Sequence, residues 1–441
     1  MFDSFLEEFN QEEQSWIKYD IANSAYTLTI VTVLFPLLYL LITKGAFSAN
    51  ESTNNNIANS ILLYATGIIS FIVAILSPIL GTMSDFKGHK KKFFKASLSI
   101  GLIFGLLLCI PVIPWQVILI IYSIATIGYT AANVFYDSFL TDVTTEDRYN
   151  KVSSAGYAWG YIGSCIPFIL GIGIYGLVYL EIIKFDPKIA IAIAFAISLL
   201  WWWFYSLPML KNVEQKYYLE KSEHWIKDTF TRLGKTIKKI IKQPKLVFYL
   251  LAYFFFIDAV YSIIKSAVII AKSHEVTDMA LLAVSLVVQV IAFPCAIAFG
   301  AFAKKFGEIK MLAYGIMAYI GICLIGYFLG HMTGSITVDL LIFVALIGSA
   351  QGGLQAVSRA YFGKLIPKHE SGEYYGFFNI FGRFASVMGP ILMGLTVSLS
   401  NNTRLATLAL IPLLLIGLVL LIISSRYKLD KNELTNNTIT K

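Results

Sequence analysis

"GTMSDFKGHKKK", residues 81–92, concentrates charge in a chain that otherwise holds little of it. Asp85, Lys87, Lys90, Lys91 and Lys92 are ionisable, with His89 among them, whereas the flanking runs 57–80 and 93–113 carry one charge between them, Lys95. Each run is about the ~20 residues that cross ~30 Å of hydrocarbon as a helix. The stretch therefore reads as a loop held on one side of a membrane. Composition agrees: 57% of the 441 residues are hydrophobic, 14% are charged, and mean hydropathy is +0.70. A soluble domain carries roughly a quarter charged residues, so this chain lacks the polar surface to stay in water. It reads as a multi-pass integral membrane protein.

Outward from the loop, apolar runs of span length recur near 16–42, 57–80, 93–113, 115–140, 153–180, 188–208, 245–270, 279–303, 310–330, 337–363, 374–398 and 404–425, twelve in all. These must be helices, because a helix satisfies its own backbone groups in lipid. The expected organisation is an amino-terminal segment 1–15, a six-helix bundle 16–208, a charged linker 209–244, a second six-helix bundle 245–425 and a tail 426–441. Phe2, Phe5, Leu6 and Phe9 recur at helical spacing, so the first segment is either an interfacial helix or a frayed terminus. The linker region from Lys211 to Lys245 holds ten Lys/Arg against four Asp/Glu. With the amino terminus inside, 27 of the 35 Lys/Arg fall in the termini and even-numbered loops or within three residues of them. That bias makes both termini cytoplasmic, so the net charge of +8 is topological and calls for no nucleic-acid partner.

The loop has a counterpart. Gly81, Asp85 and Gly88 match the spacing of Gly300, Lys304 and Gly307 in "GAFAKKFGEIK" between spans eight and nine, 219 residues later. Related loops at equivalent positions of two six-span halves indicate internal duplication, with superposable halves expected. The G-x-x-x-D-x-x-G-x-K-K pattern resembles the signature loop of the major facilitator superfamily. Lys304 stands where the first loop has Asp85, so a charge network around Asp85 is not expected to be mirrored. Three further stretches, "YDIANSAYTLTIVTVLFPLLY" (19–39), "ANVFYDSFLTDV" with "SSAGYAWGYIGS" (132–164), and "QGGLQAVSRAYFGKLIP" with "GEYYGFFNIFGRFASVMGP" (351–390), resemble a narrower branch. That branch contains the autophagy-related vacuolar amino-acid effluxers and their bacterial relatives, and the resemblance implies a place in a bacterial inner (plasma) membrane. The resemblance implies the all-α facilitator fold and secondary transport by alternating access. It also implies a central cavity lined by helices 1, 4, 7 and 10 and flanked by 2, 5, 8 and 11.

Ionisable groups at membrane depth cost several kcal/mol unless paired or wet. Asp258 and Arg383 lie near mid-membrane on cavity helices of one half; they are expected either to pair with each other or to handle substrate and protons. Arg383 suits a carboxylate, because its planar fork donates two parallel hydrogen bonds. Asp258 suits an ammonium group or a transported proton. Lys265, near an end of its span, is expected to snorkel. Asp20, Asp137 and Arg359 sit at the cytoplasmic ends of spans one, four and ten, as candidates for an inner gate or as interfacial anchors. Asp85, Gly81 and Gly88 are assigned to conformational control, with Asp85 facing the helix start near Gly372 to Gly376. Thr82, Ser84 and the loop lysines are expected to be solvated. Tyr26, Tyr129, Asn133, Tyr161, Gln289, Gln351, Gln355 and Asn379 are the uncharged substrate-binding candidates, although polar residues also join membrane helices. In "GYAWGYIG", Gly156 and Gly160 favour close helix contact, and the aromatics could wall a pocket.

Enzyme chemistry finds no foothold. The sequence shows no phosphate-cradling loop, zinc spacing or nucleophile motif, and its five histidines fall in loops or at their edges. Cys109, Cys165, Cys295 and Cys323 lie in apolar runs as packing residues. The reading is a monomeric secondary transporter, without cofactor or metal, for a small polar solute such as an amino acid, with proton coupling at Asp258. The alternative is a facilitator-fold receptor or scaffold that moves nothing.

Overall fold

The structure is a computed structural model that describes residues 5–110, 113–220, 225–273, 278–385, 387–400, 402 and 404–429. For 225–226, 265–273 and 278–284 it describes the backbone alone, so the Lys265 side chain lies outside the described residues. Nearly everything described is helical. We number the principal helices α1 (Gln11–Ile42), α2 (Glu51–Ser84), α3 (His89–Leu107), α4 (Trp115–Ser138), α5 (Tyr149–Tyr179), α6 (Pro187–Asn212), α7 (Pro244–Ser273), α8 (Asp278–Phe306), α9 (Glu308–Tyr327) and α10 (Ile336–Leu365). α11 comes in two pieces, Ser371–Phe384 and Met388–Ser400, and α12 is Ile411–Arg426 after one turn at Leu405–Leu408. A linker helix, Trp225–Lys242, lies between α6 and α7.

Local chemistry sets several of these ends. Asn10 and Glu13 form a reciprocal capping box at the start of α1, with bonds of 2.9 and 3.0 Å. Asn50 caps α2 by accepting from Thr53 N–H, and Asp186 caps α6 just before Pro187. Gly88, at φ +69°, turns the chain between α2 and α3 in a conformation other residues rarely adopt.

Among the described residues, eleven helices are long and apolar enough to cross a membrane. The expected third span is a helix too, but it starts at His89 rather than at 93, and its lysine-rich first turn keeps it outside that set. The expected eleventh span is described as two helices, one ending at Phe384 and the next beginning at Met388. The linker is not merely a charged tether, because half of it is helix. Large apolar side chains such as Leu63, Tyr64, Ile68 and Phe71 of α2 stand exposed, as they must where lipid is the solvent.

Two apolar cores form. One draws on residues from Leu6 to Val213, joined by Ala360, and the other on residues from Ile240 to Leu421. The halves meet where small residues allow it. A methyl group on Gly81 of α2 would run into the Gly372 carbonyl of α11, and one on Gly376 would come within 2.7 Å of Pro78 Cα. Gly300 of α8 meets Asn150 and Ser154 of α5 in the same way. The duplicated loop glycines therefore both mark close crossings between halves. From Phe5 on, the amino-terminal segment is packed on the bundle and not frayed. Leu6 and Phe9 are buried, Phe5 packs on Trp159 with ring centroids 5.5 Å apart, and Glu8 pairs with Lys151 at 2.6 Å. Phe2 lies outside the described residues.

Candidate functional site

A buried polar cluster lies at the end of the bundle where the linker runs. Arg359 of α10 is 3% exposed and crosses into the amino-terminal half. Its Nη2 reaches Asp20 Oδ2 at 3.0 Å and its Nη1 reaches Asp137 Oδ1 at 3.2 Å. Nε donates to Ser153 Oγ at 3.0 Å, and Nη2 donates to the Ser153 carbonyl at 3.1 Å. The guanidinium also lies over the rings of Trp16 and Tyr157, 4.5 and 4.3 Å from their centroids. Only a planar fork of donors serves two carboxylates and a backbone oxygen together. Gly156 makes room, since a Cβ there would collide with the Asp20 carboxylate and sit 3.3 Å from Arg359 Nη2. Gly160 lets Ser24 approach in the same way. Helices α1, α4, α5 and α10 thus converge on one buried cation.

The opening loop supplies a second cluster. Asp85 is fully buried and accepts from Gly372 N–H at 2.8 Å and from Glu373 N–H at 3.0 Å, at the start of α11. Those N–H groups have no acceptor within their own helix, and the helix dipole favours an anion there. Burial outweighs these donors and the nearby Lys90 and Arg232, and pushes the Asp85 carboxyl up to about 7. The expectation that Thr82, Ser84 and the loop lysines are solvated fails for three of them. Thr82, Ser84 and Lys90 are all buried. Lys90 bonds Asp142 and Ser371 Oγ, each at 2.8 Å, because α2 and α11 cross too closely to leave water there. Arg232 of the linker helix bonds Glu373 at 3.1 Å and lies 4.0 Å from both Asp85 and Glu370.

The second loop is not bare of such contacts. Glu308, one residue past Gly307, accepts from Asn150 Nδ2 at 2.7 Å and pairs with Lys364 at 2.5 Å. A carboxylate therefore bridges the halves here as well, four residues later than the position equivalent to Asp85.

Deeper in the bundle, Asp258 and Arg383 do not form an ion pair. Asp258 is fully buried and turned to the break in α11, where Gly389 N–H donates to its two oxygens at 3.1 and 3.2 Å. Ser262 Oγ donates to it at 3.3 Å. The restart of α11 offers free N–H groups, and these claim the carboxylate. Arg383 ends the first piece of α11, half-buried, with no ion pair or hydrogen bond found for it among the described residues. It lies within electrostatic reach of Tyr129, Tyr261 and Asp137.

The uncharged candidates divide. Asn133 Oδ1, Tyr161 Oη, Gln289 Oε1 and Gln351 Oε1 are buried atoms with no hydrogen-bond partner among the described residues. Gln355 is half-buried, and Asn379 donates to the Tyr375 carbonyl at 3.0 Å. Tyr26 is fully buried against Tyr129 and Trp202, at ring distances of 4.7 and 4.9 Å. A π-helical stretch, Tyr26–Leu34, interrupts α1 at this level, a distortion frequent at functional sites. Sequence reading missed that stretch, and it missed Lys90, Asp142, Ser153, Arg232, Glu308 and Glu373. Asp142 and Glu373 stand inside stretches quoted for their resemblance, and their charge at a span end was the available signal. The four cysteines are free thiols.

A model of the family described as vacuole effluxer Atg22 like matches residues 10–433. The MFS-type transporter YxiO of Bacillus subtilis is 41% identical over 418 residues, covering 94% of this chain and 95% of that protein. Autophagy-related protein 22 of Eremothecium gossypii is 23% identical over 379 residues, covering 77% and 72%. Among solved structures, the proton:xylose symporter XylE matches with a TM-score of 0.70 at 12% identity, covering 95% of each chain. The transporter FucP in its outward conformation matches with a TM-score of 0.67 at 14% identity, covering 95% of this chain and 98% of that one. At such identities these two matches speak to the fold alone.

Proposed function

The chain belongs to the Atg22-like vacuole effluxer family, and from that premise we propose that it is a secondary transporter whose solute is a small zwitterion, an amino acid. The observation that carries the solute class is Arg383, a half-buried guanidinium at membrane depth without an ion pair among the described residues. Such a cation is costly unless it meets an anion, and its fork fits a carboxylate with two bonds. Asp20, Asp137 and Asp258 are already engaged within the protein. The ammonium end of the solute therefore falls to neutral groups, the unpartnered oxygens of Asn133, Gln289 and Gln351 and the ring of Tyr161.

Alternating access follows from the linker-side closure. In this reading that side is cytoplasmic, both termini lie there, and twelve spans including α3 cross the membrane. Arg359, Asp85 and Glu308 hold the two halves together in this state and must separate in the other. Protons couple through Asp258, whose release would free the restart of α11 beside Arg383.

The test is uptake of labelled amino acids into proteoliposomes, with and without a pH gradient, for the unmodified chain and for Arg383→Lys. Losing one charge-assisted bond of about 1.5–3 kcal/mol weakens the apparent affinity by roughly 10- to 100-fold. Normal transport by Arg383→Lys would remove the assignment.

A further inference from the structure

The linker helix Trp225–Lys242 divides its apolar side chains between the bundle and the outside. The side turned to the bundle is mixed: Ile240, Thr229 and Thr236 are buried, Leu233 packs on the core, Arg232 bonds Glu373 at 3.1 Å, and Lys239 bonds Glu370 at 3.4 Å. Arg232 also sits over the Phe86 ring, 5.3 Å from its centroid. These contacts fix the rotation of the helix about its axis. A second apolar edge is consequently turned outward, with Phe230 57%, Ile237 42% and Ile241 67% exposed. At 100° per residue these three fall within one narrow stripe. Lys227, Lys235, Lys238 and Lys242, all exposed, occupy the adjoining sector. Ile241 stands three residues before α7, at the level where that helix begins.

We propose that this outward face docks on the bilayer surface, with Phe230, Ile237 and Ile241 in the acyl boundary and the four lysines on anionic phospholipid headgroups. The occupant follows from complementarity. An apolar stripe beside a row of cations fits an interface that is apolar below and anionic above. The bilayer is the one partner of that chemistry which a spanning protein always has beside it. A soluble acidic protein would match the lysines and leave the exposed stripe in water.

Spin labels placed on single cysteines test this in the full chain, with the four native cysteines replaced by alanine. Labels at Phe230→Cys, Ile237→Cys and Ile241→Cys are compared with one at the exposed Thr231→Cys. Vesicles are made of phosphatidylcholine alone or mixed with phosphatidylglycerol. The expected result is that the three stripe labels collide with oxygen more than with a water-soluble nickel complex, and the Thr231 label does the reverse. Phosphatidylglycerol shifts the stripe labels deeper. Replacing Lys227, Lys235, Lys238 and Lys242 by Gln, or raising the salt concentration on the unsubstituted helix, abolishes that shift. Stripe labels as open to nickel as the Thr231 label would overturn the docking. Depth indifferent to both phosphatidylglycerol and salt would overturn the anionic headgroup as partner. The salt arm keeps the test decisive if the Gln variant does not insert.

Discussion

Replacing Arg359 by Gln leaves Asp20 and Asp137 facing each other in a buried site with no cation between them. The guanidinium now makes contacts of 3.0 and 3.2 Å to these carboxylates and two more to Ser153. Removing one partner of a buried ion pair costs about 3–5 kcal/mol. The cost is relieved when the linker side opens and water reaches the carboxylates, so it acts on the equilibrium between the two states. At about 1.4 kcal/mol per tenfold change, the closed form loses a factor of at least ~100. Spin labels on the exposed Lys92 and Lys310, one in each half, measure that population as a distance distribution across the mouth. The decisive control is the triple substitution Arg359→Gln, Asp20→Asn, Asp137→Asn. Removing the orphaned charges should return most of the closed form, although the geometry of the fork is gone. Were Arg359→Gln to leave the distances unchanged, the cluster would hold nothing shut. A triple variant as open as the single one would place the effect in lost hydrogen bonds and packing, not in uncompensated charge.

Other outcomes follow from the same geometry. Asp85→Ala strips the acceptor from two buried N–H groups, at about 1–3 kcal/mol each, and should open the same mouth more than Asp85→Asn, which keeps one acceptor; equal opening by both, or none, would discount those bonds. Because the Asp85 carboxyl is raised to about 7 in the closed form, that form binds the proton more tightly than an open form with an ordinary carboxyl near ~4. The Asp85 contribution should therefore strengthen closure as pH falls from about 7 toward 4 and be flat above about 7, and Asp85→Asn should remove that contribution, leaving only the response of the other buried acids of the junction, Glu373 among them. Asp258→Asn should preserve exchange of solute across the membrane while abolishing accumulation driven by a pH gradient; loss of both in parallel would make Asp258 a structural cap on α11. Gly81→Ala drives a methyl into the Gly372 carbonyl, and the mouth distances should lengthen without loss of membrane insertion.

Much of the fold is legible because lipid permits so few solutions. A chain with this hydropathy must form helices of span length, and the spacing shared by Gly81–Asp85–Gly88 and Gly300–Lys304–Gly307 exposes the duplication. The common depth of Asp20, Asp137 and Arg359 is also readable, since three charges at equivalent span ends have few partners but one another. Other features lack a local signal. The break in α11 falls in "GRFASVMGP", where the proline comes five residues after Ala385, and what it yields, an N–H for Asp258, is a tertiary fact. Lys90 reads as a solvated lysine beside Lys91 and Lys92, and only the crossing of α2 with α11 buries it on Asp142. The rotation of the linker helix was hidden for a similar reason. The acidic groups at Glu370 and Glu373 that decide which of its apolar side chains face the bundle lie more than a hundred residues away.

The two duplicated loops show how one backbone solution is kept while its chemistry changes. Gly81 and Gly300 perform the same service, each allowing a helix of one half to press on a helix of the other. What the close approach buries differs. At the first loop, Asp85 meets the bare N–H groups of α11, with Lys90, Arg232, Glu370 and Glu373 gathered round it. At the second, Lys304 is exposed, and Glu308 reaches an asparagine on α5 and a lysine of its own half. The first junction is the more deeply desolvated, and so carries the larger electrostatic cost on closing and the larger response to protonation. The second is half-exposed, and the energy of such a pair is small and weakened by salt. Opening of the linker side should thus be governed at the α2–α11 crossing, with the α8–α5 crossing following it. The linker helix bears on the governing junction through Arg232, which makes the one stretch between the halves part of the closure and not a passive tether.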